Sequence, residues 1–357
     1  MNPNSPFIHE EIADLADGVE QADETWEEDV WFLPGPMAEE PAFLPLGHRV
    51  EPAEATIFAN WTQAESGLAA HLARIAGRLG ALDERLRRGP AGWRHRLALI
   101  EAADLSWFVG DRITSDRLAL WVALRLSGVQ EDTAALARVG WAVRRLSGGP
   151  KPEVNFSEFL GRHDPENTGD TGDRFADRAD NWLKLMDAAR DLHPISRACM
   201  GYHLWSLAGL GQHGDRMEAT VTAGRIAASA ELHGGAVFAP LAMGGAGGLR
   251  AVGPPAELLA RWLDGMGSAN LKAMRHLDDI EAWAARAETL MTPLSGRTPL
   301  ALLVALREWP LVSAPMAEAL TGASRAAVQR NLAWMEARGL IREVTGQGRF
   351  RMWRAAV

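Results

Sequence analysis

Residues 311–338 read LVSAPMAEALTGASRAAVQRNLAWMEAR, two short helical patterns separated by a turn. Ser313 is placed to cap the first helix, and Pro315 suits its first turn, where a missing N–H costs little. Gly322 can adopt the positive φ that the turn needs. Ser324 is placed to cap the second helix, which we predict over 325–338. Two helices joined in this way predict a helix-turn-helix.

The flanking sequence extends this prediction to residues 298–357. A leucine-rich helix precedes the pair and is stopped by Pro310, and we expect one of its faces to be apolar, with Leu300, Leu303, Val304 and Leu306. In the helix that follows Ser313 we expect Met316, Ala317 and Leu320 to face inward. Residues 340–344 and 349–354 read as two strands around the tip 345–348. The whole predicts a winged helix-turn-helix, a module that places one helix in a DNA major groove.

The helix predicted over 325–338, the third of the module, carries the residues that we expect to contact DNA. With Val328, Leu332 and Met335 inward, the outward residues of its N-terminal half are Ser324, Arg325, Ala326, Gln329 and Arg330. Arginine pairs with guanine and glutamine with adenine. The wing arginines are expected to contact the phosphate backbone, and they are Arg342, Arg349, Arg351 and Arg354. Winged helices also serve as protein-binding modules, which is the alternative.

Charge is distributed unequally along the chain. Residues 1–60 hold fourteen acids and one basic residue, Arg49, which gives −13, and they are rich in proline. Residues 297–357 hold nine arginines and four glutamates, which gives +5. We predict an extended or loosely ordered acidic leader over 1–60. The asymmetry is typical of a nucleic-acid-binding protein with an acidic tail, although a solvated leader without a role explains it equally well.

Composition excludes several classes of protein. The chain has 357 residues, of which 47% are hydrophobic, and a single cysteine, Cys199, so no intramolecular disulfide is possible. The first residues lack the basic start and apolar run of a signal peptide. We find no run of about 18 apolar residues that would span a membrane. The expectation is a cytoplasmic, globular protein without membrane association.

The middle of the chain, residues 61–291, reads as a helical domain joined to the C-terminal module by a linker at 292–297. We predict a polar loop over 151–173 and a glycine-rich segment over 234–253. No alternating strand pattern of any length precedes the wing, so the class is mainly α. The predicted helices cover about 64–88, 93–108, 115–128, 132–147, 174–192, 195–208, a stretch ending near 230, 256–266 and 269–290.

Three stretches resemble a known family. Residues 339–349 read GLIREVTGQGR, which is similar to the wing that ends many Fic-domain proteins. With residues 82–86 (LDERL) and 311–315 (LVSAP), they resemble a Fic-like family of alpha-proteobacteria in which a helical domain of unknown function precedes a helix-turn-helix domain. The resemblance covers roughly residues 64–357. It implies a Fic-like helical bundle followed by the winged helix-turn-helix.

The same resemblance implies that Fic chemistry is lost. Fic enzymes transfer a nucleotide phosphate group with the motif His-Pro-Phe-x-Asp/Glu-Gly-Asn-Gly-Arg, which aligns with residues 208–216 (AGLGQHGDR). Ala208 then stands at the base position and Gln212 at the metal-binding acid, while only Arg216 matches. The inhibitory Ser-x-x-x-Glu-Gly signature would fall at 105–110, with Leu105 for the serine and Val109 for the glutamate. We therefore expect a catalytically inactive body without a cofactor.

Three further groups of residues do not predict a binding site. His193, His203 and His213 are spaced by ten, which does not place two of them on one helical face. The acids of residues 164–173 only partly match a calcium loop. The glycine-rich segment lacks the Gly-Lys-Ser/Thr ending of a phosphate-binding loop. We expect neither a metal nor a nucleotide at these places.

The functional expectation is a sequence-specific transcriptional regulator that binds double-stranded DNA. One module makes few base contacts, so a homodimer on a palindrome is expected, and the helical domain would dimerise or bind an effector or a protein. Two alternatives stay open. One is a nucleotidyl- or phosphotransferase acting on protein, with His213 or an unidentified group as its base. The other is a protein-interaction adaptor whose acidic leader occupies a basic surface, either a partner's or its own wing.

Overall fold

Helices account for most of the chain in the computed structural model, which describes residues 51–124, 132–161, 171–211, 216–229, 234–346 and 350–357. Thirteen α-helices and three short strands lie in these ranges, so the mainly α class is confirmed. Residues 50–357 form one compact unit. No helix in the described ranges is both long and apolar enough to cross a membrane.

The first ten helices precede the C-terminal region. They are α1 (Glu51–Gly67), α2 (Ala69–Arg88), α3 (Gly92–Val109), α4 (Ser115–Leu124), α5 (Thr133–Ser147), α6 (Phe156–Leu160), α7 (Thr171–Ala188), α8 (Pro194–Leu207), α9 (Arg216–Ala227) and α10 (Pro255–Met291). A single 3-10 turn, Gly248–Arg250, lies in the glycine-rich segment.

Helix α1 corrects the predicted leader at its end. Residues 51–60 were expected to be extended, but they are the first part of a 17-residue helix. Pro52 does not prevent this because a proline in the first turn removes only an N–H that has no partner in the helix. Residues 1–50 lie outside the described part of the chain, so the rest of the predicted leader is untested.

Helix α10 corrects a second prediction, because 256–266 and 269–290 belong to one helix of 37 residues. Gly265 and Gly267, near the point where the two helices were predicted to separate, are sites of close packing. A Cβ on Gly265 would lie 2.9 Å from the backbone nitrogen of Gly248, and one on Gly267 would lie 2.8 Å from Cδ1 of Ile75. Glycine is placed here for close approach and not for a turn.

Helix caps follow the sequence in most places. Asp132 caps α5 by accepting hydrogen bonds from Ala134 and Ala135. Ser115 and Asp116 are the residues whose sequence predicts a cap for α4, but the cap is one residue earlier, because the Thr114 hydroxyl accepts the hydrogen bond from Arg117 N at 3.3 Å. The predicted polar loop 151–173 is interrupted by α6, whose Phe156, Phe159 and Leu160 are buried.

A buried carboxylate fixes the glycine-rich segment to the helical core. Glu101 of α3 accepts hydrogen bonds from the backbone nitrogens of Leu241 (2.7 Å), Ala242 (2.8 Å) and Met243 (2.9 Å). Burial raises the pKa of Glu101 to about 7, although these hydrogen bonds act in the opposite direction. Residues 241–243 are therefore held through their backbone nitrogens, without belonging to a helix or a strand.

The C-terminal region combines three helices with the three strands. In order they are α11 (Thr298–Glu308), β1 (Val312–Ser313), α12 (Ala314–Thr321), α13 (Arg325–Ala337), β2 (Ile341–Glu343) and β3 (Met352–Ala355). The sheet has the order β1-β3-β2 and is antiparallel, with Val312 opposite Trp353 and Ile341 opposite Ala355. The two residues of β1 were not predicted, because so short a strand leaves no alternating pattern.

Two of the predicted inward faces in this region are partly wrong. Leu303 and Leu306 of α11 are buried as predicted, but Leu300 and Val304 are 51% and 57% exposed, and Leu302 is buried in their place. Leu320 of α12 is 50% exposed, and its inward residue is Ala317. A leucine-rich helix offers more than one apolar stripe, so periodicity alone did not select the buried one.

Candidate nucleic-acid interface

Helix α13 is placed by its cap, its apolar face and the turn before it. The Ser324 hydroxyl accepts a hydrogen bond from the backbone nitrogen of Ala327 at 3.4 Å, as predicted. Val328, Leu332 and Met335 are fully buried, which confirms the predicted inward face. Gly322 ends α12 with a φ of +62°, the left-handed conformation expected of it. These contacts fix which side of α13 faces outward.

The outward side of α13 carries the residues predicted to meet DNA. Ser324, Arg325, Ala326, Gln329 and Arg330 are all exposed. Arg325 has only a long contact to Glu318 of α12, with its Nε 4.0 Å from the carboxylate. Within the described ranges no ion pair involves Arg330. The N-terminal half of α13 thus presents two guanidinium groups and an amide to solvent.

Residues near this surface were missed by the sequence reasoning. The Asn331 side chain donates a hydrogen bond to the carbonyl oxygen of Ala327 at 2.8 Å, which uses its amide within the helix. At the other end of α13, the Arg338 guanidinium lies 3.7 Å from the centroid of the Trp334 ring. Such a cation–π contact is stabilising and leaves the positive charge near the surface.

Two of the wing arginines are paired with the helical part of the chain. Asp116 of α4 lies 3.1 Å from Arg342 and 3.2 Å from Arg354. Arg342 is exposed and Arg354 is half-buried. Both were predicted as phosphate contacts, and a phosphate would have to compete with this carboxylate for them. The pairing joins residues more than 220 positions apart, so no local pattern indicated it.

Arg351 is paired within the C-terminal region. Arg351 lies 3.2 Å from Glu336 of α13 and stacks over the Trp353 ring at 4.9 Å. Arg349 lies outside the described residues. The turn that begins the wing is held by Glu343, which accepts hydrogen bonds from the backbone nitrogens of Thr345 (2.7 Å) and Gly346 (3.0 Å).

The helical body holds the C-terminal region through several polar contacts. Arg96 of α3 donates to the carbonyl oxygens of Leu306, Arg307 and Trp309 at the end of α11. Burial lowers the pKa of Arg96 to about 10, which leaves it charged at neutral pH. Trp283 of α10 donates through Nε1 to the Leu340 carbonyl oxygen at 2.7 Å. The candidate interface is therefore anchored to the body at both α11 and the wing.

The segment aligned with the Fic motif lies between α8 and α9. Ala208 follows the last residue of α8, and Arg216 is the first residue of α9, while Gln212 lies outside the described residues. The Arg216 guanidinium lies 5.7 Å from the centroid of the Phe108 ring, so the end of α3, where the inhibitory signature would fall, is beside the start of α9. These placements leave the Fic-like resemblance a prediction.

Within the described ranges no three His, Cys, Asp or Glu side chains are grouped so that they could hold a metal ion. His193 caps α8, where its Nδ1 accepts a hydrogen bond from Ile195 N at 3.2 Å. His203 is half-buried, and burial lowers its pKa to about 4. His213 and residues 162–170 lie outside the described part.

The sequence matches no protein-family model, and no curated protein is significantly similar to it.

Proposed function

We propose that this protein is a sequence-specific transcriptional regulator that binds double-stranded DNA through a winged helix-turn-helix at residues 298–357. In this proposal α12 and α13 are the helix-turn-helix, and β2, β3 and the residues between them are the wing. The order α11-β1-α12-α13-β2-β3 and the sheet order β1-β3-β2 support it. A protein that reads the major groove requires a helix presented by a small folded domain, and here the capped helix α13 is presented by α11, α12 and the sheet.

One observation carries the proposal, the exposed N-terminal half of α13. Arg325, Gln329 and Arg330 are all exposed, whereas Val328 and Leu332 of the same helix are fully buried. No acidic residue of α13 precedes Glu336, so the N-terminal half of this helix carries only positive charges of its own, with Glu318 of α12 lying 4.0 Å from Arg325. Arginine and glutamine are also the side chains best suited to guanine and adenine edges in the major groove.

The helical body would present and regulate this module. Its contacts through Arg96, Trp283 and Asp116 restrict how the module can move, which favours a body that sets the position of α13. Ala208 at the predicted base position argues against phosphate transfer by the body. We also propose a homodimer on a palindromic site, because a single α13 offers only three long polar side chains for base contacts.

Selection of binding sites from a random double-stranded DNA library by the full chain tests this function. We expect enrichment of a palindromic sequence with half-sites about 10 base pairs apart, as helix-turn-helix dimers require. Binding should weaken steeply with salt, since phosphate contacts release counterions. Enrichment of no sequence, at low salt as well, would reject DNA recognition and favour a protein-binding role for the same module.

A further inference from the structure

An open groove runs between the C-terminal part of α10 and the helix α11. It has a volume of about 520 Å³. Its wall on α10 is formed by residues at spacings of three and four, Glu281, Ala284, Ala285 and Glu288. Its wall on α11 has the same spacing, with Leu300, Leu303, Val304 and Arg307. Residues at these spacings lie on one face of a helix, so the groove is bordered by two helical faces side by side.

Apolar side chains in this groove are open to solvent. Leu300 is 51% exposed and Val304 is 57% exposed, and they lie four residues apart on α11. The short side chains of Ala284 and Ala285 leave room on the facing wall. An exposed apolar surface bordered by charged residues is typical of a protein–protein interaction site. A helix with apolar residues at the same spacing would cover this one.

The charged side chains of the groove show how a partner would be oriented. Helix α11 follows α10 after a short linker, and its Arg307 lies 3.1 Å from Glu281. The two helices are therefore antiparallel, and Glu288 lies at the other end of the groove. Glu281 also pairs with Arg85 at 2.8 Å, whereas Glu288 is exposed and no ion pair in the described ranges involves it. The groove thus has an arginine at one end and an unpaired carboxylate at the other.

We propose that this groove binds α11 of a second copy of the chain, in a two-fold dimer. Each α11 lies in the groove of the other copy, so the two α10–α11 pairs form a four-helix bundle. With Val304 near the two-fold axis and the two α11 helices antiparallel, Arg307 of each copy reaches Glu288 of the other. The axis makes this ion pair twice. Charge complementarity therefore favours a second copy over DNA, whose phosphates the two glutamates of the groove repel.

Sedimentation equilibrium of the full chain without DNA tests the proposal, and the wild type should be a dimer. Val304→Glu places two carboxylates at the axis and should weaken dimerisation by roughly a hundredfold, because buried unpaired charges are strongly unfavourable. Leu271→Glu, at an exposed leucine of α10 outside the groove, is the matched control and should remain dimeric. A monomeric wild type, or a Val304→Glu variant that dimerises as well as the wild type, would overturn the proposal.

An exchange of charges tests the orientation of the two copies. Glu288→Lys and Arg307→Glu each bring like charges together in their own homodimers, so each should weaken dimerisation at least roughly tenfold. An equimolar mixture of the two variants should restore the dimer, because each copy then meets the opposite charge at both ends of the groove. Circular dichroism establishes that each variant is folded. A mixture of folded variants that stays monomeric would contradict this pairing, and if Arg307→Glu does not fold, Val304→Glu decides alone.

Dimerisation and DNA recognition can fail separately, although the role of this dimer at a palindromic site rests on the proposed function. A dimer that selects no DNA sequence rejects the proposed function and keeps the α11 interface. A monomer that selects a sequence overturns the interface and keeps DNA recognition. Sedimentation without DNA and selection from the random library therefore distinguish the two.

Discussion

The Nη2 of Arg96 lies 2.6 Å from the carbonyl oxygen of Trp309, the residue that directly follows α11. The same nitrogen is 3.1 Å from the Leu306 carbonyl oxygen and 3.3 Å from that of Arg307. The last carbonyl groups of a helix have no partners within it, and a cation there also interacts favourably with the helix dipole. Arg96 therefore completes, from α3, a helix that begins about 200 residues later in the chain.

Removing this cap should destabilise the whole described unit. Arg96→Met keeps much of the buried aliphatic volume but leaves three carbonyl groups without their donor. Hydrogen bonds to charged groups contribute about 1.5–3 kcal/mol each, and since the three share one nitrogen we expect a loss of about 3 kcal/mol. Urea unfolding measures it. Arg190→Met, at an exposed arginine after α7, is the control, and a change as small as the control's would refute the capping role.

The outward arginines of α13 should determine DNA binding. Arg325→Ala combined with Arg330→Ala should weaken specific binding by about 2–6 kcal/mol, from about 1–3 kcal/mol for each base-contacting arginine. Fluorescence anisotropy with the selected site and with unrelated DNA separates specific from general binding. The control is Arg190→Ala combined with Arg286→Ala, two exposed arginines distant in sequence from α13, which should have little effect on DNA affinity. Unaltered affinity of the α13 double variant would mean that another surface reads the DNA.

Asp116 should compete with DNA for Arg342 and Arg354. Asp116→Asn removes the negative charge that the two arginines share, so both become available for phosphates. We expect tighter DNA binding and a steeper dependence on salt, by up to about 0.9 in the logarithmic slope for each released arginine. Titrations at several salt concentrations measure this slope. An unchanged slope would show that neither arginine reaches the backbone.

Glu101 should make the folded chain less stable as the pH rises from 4.5 to 7. Its pKa is about 7 in the folded chain and 4.5 in the reference state, so the folded state binds the extra proton between these values. Stability from this group is therefore present below pH 4.5 and is lost as pH rises toward 7, by about 3 kcal/mol in total.

Glu101→Gln tests this directly. The amide would place an N–H donor against a backbone N–H donor of the 241–243 segment, so the variant is destabilised at every pH. The wild type loses stability between pH 4.5 and 7.5, whereas the variant has no ionisable side chain at position 101. The difference in unfolding free energy should therefore be larger at pH 4.5 than at pH 7.5. A difference that grows with pH would mean that Glu101 is ionised in the folded chain at all these pH values.

Glycine within α10 should be required for packing. Alanine favours helix over glycine by about 1 kcal/mol, so Gly77→Ala in α2, where a Cβ would meet nothing within 4 Å, should be stabilising. Gly265→Ala should instead be destabilising, because its Cβ would lie 2.9 Å from the Gly248 nitrogen and 3.1 Å from the Gly248 Cα. Chemical denaturation of both variants compares them, and equal stabilisation by the two changes would exclude the close contact.

These cases show which features the sequence predicts. Ser313, Ser324 and Asp132 cap helices through residues two or three positions away, so their roles could be inferred from short patterns. The buried face of α13 follows from its periodicity for the same reason.

Features that depend on distant partners could not be predicted. The exposure of Leu300 depends on which stripe of α11 meets α10, and the continuity of α10 through Gly265 depends on Gly248. The pairing of Asp116 with the wing arginines depends on the docking of the body against the sheet. In each case the sequence shows which residues are present but not which of them are in contact in the folded chain.

The length of α10 has a consequence for how the chain unfolds. Its 37 residues, at 1.5 Å each, extend about 55 Å, and Trp283 near its end donates to Leu340 beside the wing. Because one uninterrupted helix contributes to the core of the helical body and to that around the strands, opening of the C-terminal region would leave the buried Trp283 indole without its hydrogen-bond partner. The linker at 292–297 divides the chain in sequence, yet we expect the last turns of α10 to open together with the strands. A fragment that begins at Thr298 would lack part of its own core.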